Sequence, residues 1–210
     1  MICVGAQARL WRAVESGFMH RRSLLFLLVA AAALPATGSS AGAVRYALDA
    51  DRSTVTFETD FGPDKITGSM PVARADLAID FDRVANSHVS VTLDATQARA
   101  SFPFAAQALM GPKVLDVRAF PTIAFESRSV RRKGDDALID GALTIRGVTR
   151  PVTLLATIFR QTGTEPGDLS RLTIRLVGAV RRSAFGASGW PDMVGDEVRI
   201  EIFARIDRAA

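Results

Sequence analysis

The sequence predicts an all-β domain of about eight antiparallel strands with one short helical segment. Three observations predict it: apolar and polar residues alternate with a period of two in eight separate stretches, turn-forming residues fall between the stretches, and a single stretch breaks the rhythm.

The first strand signal is Val55, Phe57 and Thr59 set between Thr54, Thr56 and Glu58, followed by a Gly62-Pro63 turn. Leu77, Ile79 and Phe81 then alternate with Asp80 and Asp82, and after Asn86-Ser87 comes the run Val89, Val91, Leu93. Ser101 to Val114 is the exception. Pro103 near its start, an alanine-rich middle and Gly111-Pro112 as a stop describe one or two helical turns, too short to cover a sheet. Alternation resumes with Ile123 and Phe125, passes the Lys133-Gly134-Asp135-Asp136 turn to Leu143 and Ile145, turns again at Gly147, and continues through Val152, Leu154, Ala156 and Ile158. Pro166-Gly167-Asp168 separates these from Leu172, Ile174 and Leu176. Val194-Gly195-Asp196 reads as a last turn before Val198, Ile200, Ile202 and Ala204.

With almost no helix, the apolar faces must cover one another, as a sandwich or a closed barrel. An up-and-down barrel of about eight strands is just wide enough to be packed solid or to hold one slender ligand. An outer-membrane barrel is disfavoured, because Asp80, Asp94, Arg146, Arg175 and Glu201 cannot form a lipid-facing band and Tyr46 and Trp190 are too few for aromatic girdles.

Residues 1–43 carry a different signal. Met19-His20-Arg21-Arg22 is a basic start, Leu24 to Ala36 an apolar run, and Ala41-Gly42-Ala43 a small-residue cleavage pattern. We read a secretory signal peptide starting at Met19 and cleaved after Ala43, and a domain over 44–210. The apolar run is too short for a bilayer span, and no cysteine stands at the cleavage site to take a lipid anchor. The leader holds four arginines and one glutamate, so the 26 basic and 22 acidic residues of the chain become 22 and 21. That small surplus excludes nucleic acid as a partner. The sole cysteine, Cys3, leaves with the leader, which excludes disulfides, thiol chemistry and thiolate metal sites from the domain.

Four segments, in this order, resemble the YceI-like, polyisoprenoid-binding family of exported proteins: Tyr46-Ala47-Leu48-Asp49 through Ser53, Val55 and Phe57; Phe120-Pro121-Thr122-Ile123-Ala124-Phe125-Glu126-Ser127; Gly141-Ala142-Leu143-Thr144-Ile145-Arg146-Gly147-Val148-Thr149; and Arg182-Ser183-Ala184-Phe185-Gly186 with Val194 to Val198. The resemblance implies an antiparallel, eight-stranded, lipocalin-like extended barrel around a long isoprenoid chain, such as a polyprenyl phosphate or a quinone tail. Tyr46 stands where the family usually has Trp, Arg52 where it has His, and Ala184 where it often has an acidic residue. Thr96 to Val114 also departs from the common form, which leaves the ligand's identity open.

An isoprenoid has few polar handles, so its site would be a smooth apolar tunnel. The expected lining is Phe57, Val91, Phe125, Leu143, Ile145, Leu154, Ile174 and Ile200, with Phe102, Phe104, Leu109 and Met110 near the mouth and Phe185 beside Gly186. The plain alternative is that these residues pack one another. Gly141, Gly147 and Gly178 mark a bend, a bulge or a close approach. Arg181 and Arg182 are candidates for a phosphate or quinone oxygen, the alternative being a pairing with Asp192 or Asp196. No catalytic, cofactor or metal constellation is expected: His88 is the single histidine after the leader, and no nucleophile elbow, phosphate loop or ligand spacing occurs. The reading is a periplasmic carrier or store of an isoprenoid lipid, with transient membrane contact allowed by its cargo and a homodimer allowed by an exposed barrel edge. An enzyme or stress factor acting on a small hydrophobic substrate in the same barrel is the alternative.

Overall fold

Each stretch of alternation presents one apolar face, and eight such faces close on themselves. The computed structural model describes residues 42–160, 165 and 167–209, so the leader apart from Gly42 and Ala43, and Pro166 of the expected 166–168 turn, lie outside the described residues. The strands are β1 (Val44–Phe61), β2 (Asp64–Ser69), β3 (Val72–Ile79), β4 (His88–Asp94), β5 (Arg99–Ala100), β6 (Thr122–Lys133), β7 (Asp136–Ile145), β8 (Val148–Arg160), β9 (Arg171–Arg181) and β10 (Val194–Arg208), with α1 (Pro103–Met110) between β5 and β6. Their order β10-β9-β8-β7-β6-β4-β3-β1 returns to β10 through a β1–β10 pairing, which makes the molecule a closed antiparallel barrel and not a sandwich. The eight barrel strands are those marked by the eight stretches of alternation. β2 and β5 are additions beside β1.

The 18-residue β1 serves two neighbours because it bends. Val44 to Tyr46 pair with β3, Thr56 to Phe61 pair with β2, and the β10 register shifts between Asp49 and Thr54. Ser53 holds this bulge, its Oγ donating to the Asp49 carbonyl at 2.6 Å and accepting the Arg205 N–H at 3.0 Å. The β1–β10 seam is bound by side chains as well. Arg199 reaches Glu58 at 3.0 Å and Asp60 at 2.6 Å, while Thr56 Oγ1 donates to the Glu201 carbonyl at 2.9 Å.

The turn expected at Val194-Gly195-Asp196 is corrected: these residues begin β10. The reversal lies just before them, where Met193 and Val194 donate their N–H groups to the Trp190 carbonyl. Gly195 is instead a strand glycine packed against Asp60, a contact that a Cβ would crowd at 3.3 Å. The β7–β8 hairpin does turn at Gly147, with Arg146 and Gly147 at φ 52° and 71°.

Two clusters fill the barrel ends. Tyr46, Leu77, Leu172 and Ile206 pack at the end holding the start of β1 and the finish of β10. Phe185, Leu115, Leu143, Leu154 and their neighbours form the cluster that reaches the helix end.

Candidate functional site

Between the clusters the barrel is hollow. A cavity of about 330 Å3 runs through it, walled by inward faces of all eight barrel strands and by α1. Phe57, Val91, Phe125, Ile145, Ile174 and Ile200 line the space and are half-buried, the first five packed on one side against the core clusters and facing the cavity on the other. Leu143, Leu154 and Phe185 also line it and are buried; Leu109 lines it from α1.

Phe102, Phe104 and Met110 lie outside the lining. The helix turns Ala105, Ala108 and Leu109 inward, a spacing of three and four residues, and this leaves Phe104 on its outer side at 83% exposure. Phe102 precedes the helix and rests near Phe61, ring centroids 6.1 Å apart. Wall residues not singled out in the sequence as lining include Val55, Ile139, Val152, Leu176, Ile202 and Trp190. The first five extend the same alternating faces. Trp190 belongs to no strand pattern, and its one signal was a large aromatic side chain in a Gly-Trp-Pro loop with no core position to fill.

The glycines admit side chains of the wall itself. A Cβ on Gly141 would strike the Phe125 ring, one on Gly68 the Phe57 ring, and one on Gly178 a Leu154 methyl at 2.6 Å. Each ring thus packs against glycine backbone where a side chain would collide.

Arg182 corrects the head-group assignment. The side chain is buried, and its guanidinium donates Nε to the Gly195 carbonyl, Nη1 to those of Ala187 and Gly189, and Nη2 to that of Val194, at 2.7–2.8 Å. Four of its five N–H groups are thus engaged with backbone, so no free fork faces an oxyanion. Among the described residues it makes no ion pair. Burial pushes its pKa below the ordinary arginine range, and the charge of Asp196 opposes that push. Asp196 itself accepts the backbone N–H and the hydroxyl of Ser183, both at 2.9 Å, which hold its carboxyl below the usual range. Arg181 is exposed and does not line the cavity.

The hydroxyl side chains of the wall are occupied too. Thr56 donates to the Glu201 carbonyl, Thr59 to those of Gly195 and Glu197, Ser53 to that of Asp49, and Ser87 accepts the Asp80 N–H. What remains for a ligand is apolar surface, which contributes about 25 cal/mol per Å2 withdrawn from water and asks for no particular chemistry.

The two ends differ. At one, Tyr46 is stoppered in place: its ring meets Phe81 edge-on at 5.9 Å, its hydroxyl donates to the Leu169 carbonyl at 2.9 Å, and Leu172 and Ile206 around it are 0% and 1% exposed. At the other, α1 and the loop from Ala187 to Met193 form the cover.

The chain has known counterparts. The sequence profile of the YceI-like domain matches residues 46–206. This chain belongs to the YceI-like family. Among curated relatives, Protein YceI of Salmonella arizonae and that of Salmonella newport are each 33% identical over 97 residues, 46% of this chain and 50% of theirs. The chain thus spans about half the length of the curated relatives it matches. Burkholderia cenocepacia BcnA superposes with a TM-score of 0.67 at 22% identity, over 76% of this chain and 99% of that one. The YCEI protein of Campylobacter jejuni does so with a TM-score of 0.55 at 18% identity, over 68% and 85%. At those identities the likeness is one of fold, and it agrees with the lipocalin-like barrel of the YceI-like family. Among the described residues no helix is long and apolar enough to cross a membrane, and no group of three His, Cys, Asp or Glu side chains is placed to hold a metal ion.

Proposed function

We propose that this YceI-like protein is an exported, periplasmic binding protein that holds an isoprenoid lipid in its barrel, for transport or storage. One observation carries the reading: inward-facing residues such as Phe57, Phe125 and Ile200 are half-buried around an apolar void of about 330 Å3. Side chains that face an apolar cavity lack contacts on that side, and a slender apolar chain supplies them. Methyl-branched isoprene units suit a wall of Val, Ile, Leu and Phe, and the wall's polar groups, being occupied, leave recognition to shape and burial. The same occupancy favours binding over catalysis, since no lining side chain is left unpartnered to act as acid, base or nucleophile.

The test is organic extraction of protein purified from its native host, with mass spectrometry of the extract. The expected result is a prenyl lipid in near-stoichiometric amount. Recovery of no apolar ligand, together with failure to take up an added prenyl lipid, would overturn the proposal.

A further inference from the structure

One residue of the cavity lining stands out in solvent. Of the side chains lining it, Trp190 alone is exposed, at 42%; all others are buried or half-buried. Its backbone takes φ 51°, a left-handed conformation that bulky side chains avoid, above all directly before a proline such as Pro191. The conformation persists because the loop is fastened at both shoulders. Arg182 binds the carbonyls of Ala187 and Gly189 on one side and of Val194 and Gly195 on the other, and Gly189 N–H donates to the Lys113 carbonyl at 2.9 Å. Between the shoulders Trp190 projects over the cavity, with the Lys113 ammonium 5.5 Å from its ring centroid.

We propose that an amphiphile enters past Trp190 tail first, leaves by the same route, and rests with its polar end at the mouth between Trp190 and Lys113 and its apolar tail toward Tyr46. The inference rests on the reading of the cavity as a lipid site and adds the portal and the orientation. The far end is closed by Tyr46, Leu172 and Ile206. A head group drawn inward would shed its water and find Ser53, Thr56, Thr59 and Arg182 already hydrogen-bonded, a costly exchange. At the mouth the same group keeps water and gains an indole edge and an ammonium. Asp60, Asp192 and Asp196 line a separate polar cleft with Arg182 and Met193. With carboxylates on that side and Lys113 on the other, the mouth selects a polar end without fixing its charge.

The test uses the full chain and two spin-labelled stearates, one with the nitroxide near the carboxyl end and one with it near the methyl end. Tryptophan quenching is measured at equal bound occupancy, fixed by the immobilised nitroxide spectrum, and the signal of the Trp190→Phe variant is subtracted to remove Trp11. The label near the carboxyl end is expected to quench Trp190 about twofold or more as strongly as the other, because a slender cavity keeps the two ends apart. Equal or reversed quenching by two immobilised probes overturns the orientation while the lipid-site reading stands; immobilisation of neither probe overturns the orientation, and overturns the lipid-site reading too when an added prenyl lipid is also not taken up. In parallel, Trp190→Gly, which suits the positive φ, is expected to speed ligand release several-fold with folding intact. An unchanged release rate overturns the portal.

Discussion

The two ends of this barrel are closed by different physics. At the Tyr46 end, side chains fill the opening: Leu172 and Ile206 are withdrawn from water and a single hydroxyl bond pins the ring. At the Trp190 end, backbone does the closing, gathered by one guanidinium that grips four carbonyls. A stopper made by packing is stiff, because any opening exposes apolar area. A cover held by hydrogen bonds opens by exchanging them for bonds to water, with less apolar area exposed. The comparison teaches that a symmetric-looking barrel acquires a direction from how each end is sealed.

The largest effect is expected from breaking the packed end. Leu172→Ala, at a site with 0% exposure, should cost about 4 kcal/mol of stability by urea unfolding. At the other end Arg182→Ala strands four carbonyls and should cost about 3 kcal/mol. Arg182→Lys should recover little of that, since one ammonium cannot span the positions that a planar fork reaches; full recovery would show that charge and not geometry holds the loop. Tyr46→Phe deletes one hydroxyl bond and leaves the ring on Phe81, so about 1 kcal/mol is expected.

The smallest effect sharpens the comparison through pH. Asp80, beside the packed end, accepts the Arg83 N–H at 2.7 Å, the Asn86 amide at 2.9 Å and the Asp82 N–H at 3.1 Å. These bonds, that of Arg83 foremost, hold its carboxyl below the usual aspartate range. The folded protein therefore binds this proton less readily than the unfolded chain does. The stabilisation is complete above the unfolded aspartate value and is lost as pH falls through the lower folded value. Asp80→Asn is expected to flatten part of the acid limb of a stability–pH curve; an unaltered limb would remove Asp80 from it.

The barrel was legible in the sequence because period-two alternation is a direct image of an inside and an outside, and each of the eight stretches became a wall strand. β2 and β5 were not legible. Asp64-Lys65-Ile66-Thr67-Gly68-Ser69 has one large apolar residue, Ile66, which reaches the cavity, and Arg99-Ala100 is two residues long, so neither shows an alternating pattern. Gly195 passed for a turn because a Gly-Asp pair looks alike in a bend and in a strand pressed against Asp60. The cavity wall followed from the alternation, but its hollowness did not. Phe57 and Phe125 pack against Gly68 and Gly141 on neighbouring strands, a cross-strand fit that no single stretch displays. Arg182 was visible as a cation, while its partners are carbonyls, which every residue has and no sequence pattern displays.

The β1–β10 seam sets a schedule. The strands it joins open and close the domain, and the bond from Thr56 to the Glu201 carbonyl spans 145 positions. Such long-range pairing is slow and comes late. A chain delivered from its N-terminus has no enclosed interior until its last strand arrives. Loading therefore follows completion of the domain, and a half-emerged chain offers its apolar faces to chaperones before it offers a cavity to any cargo.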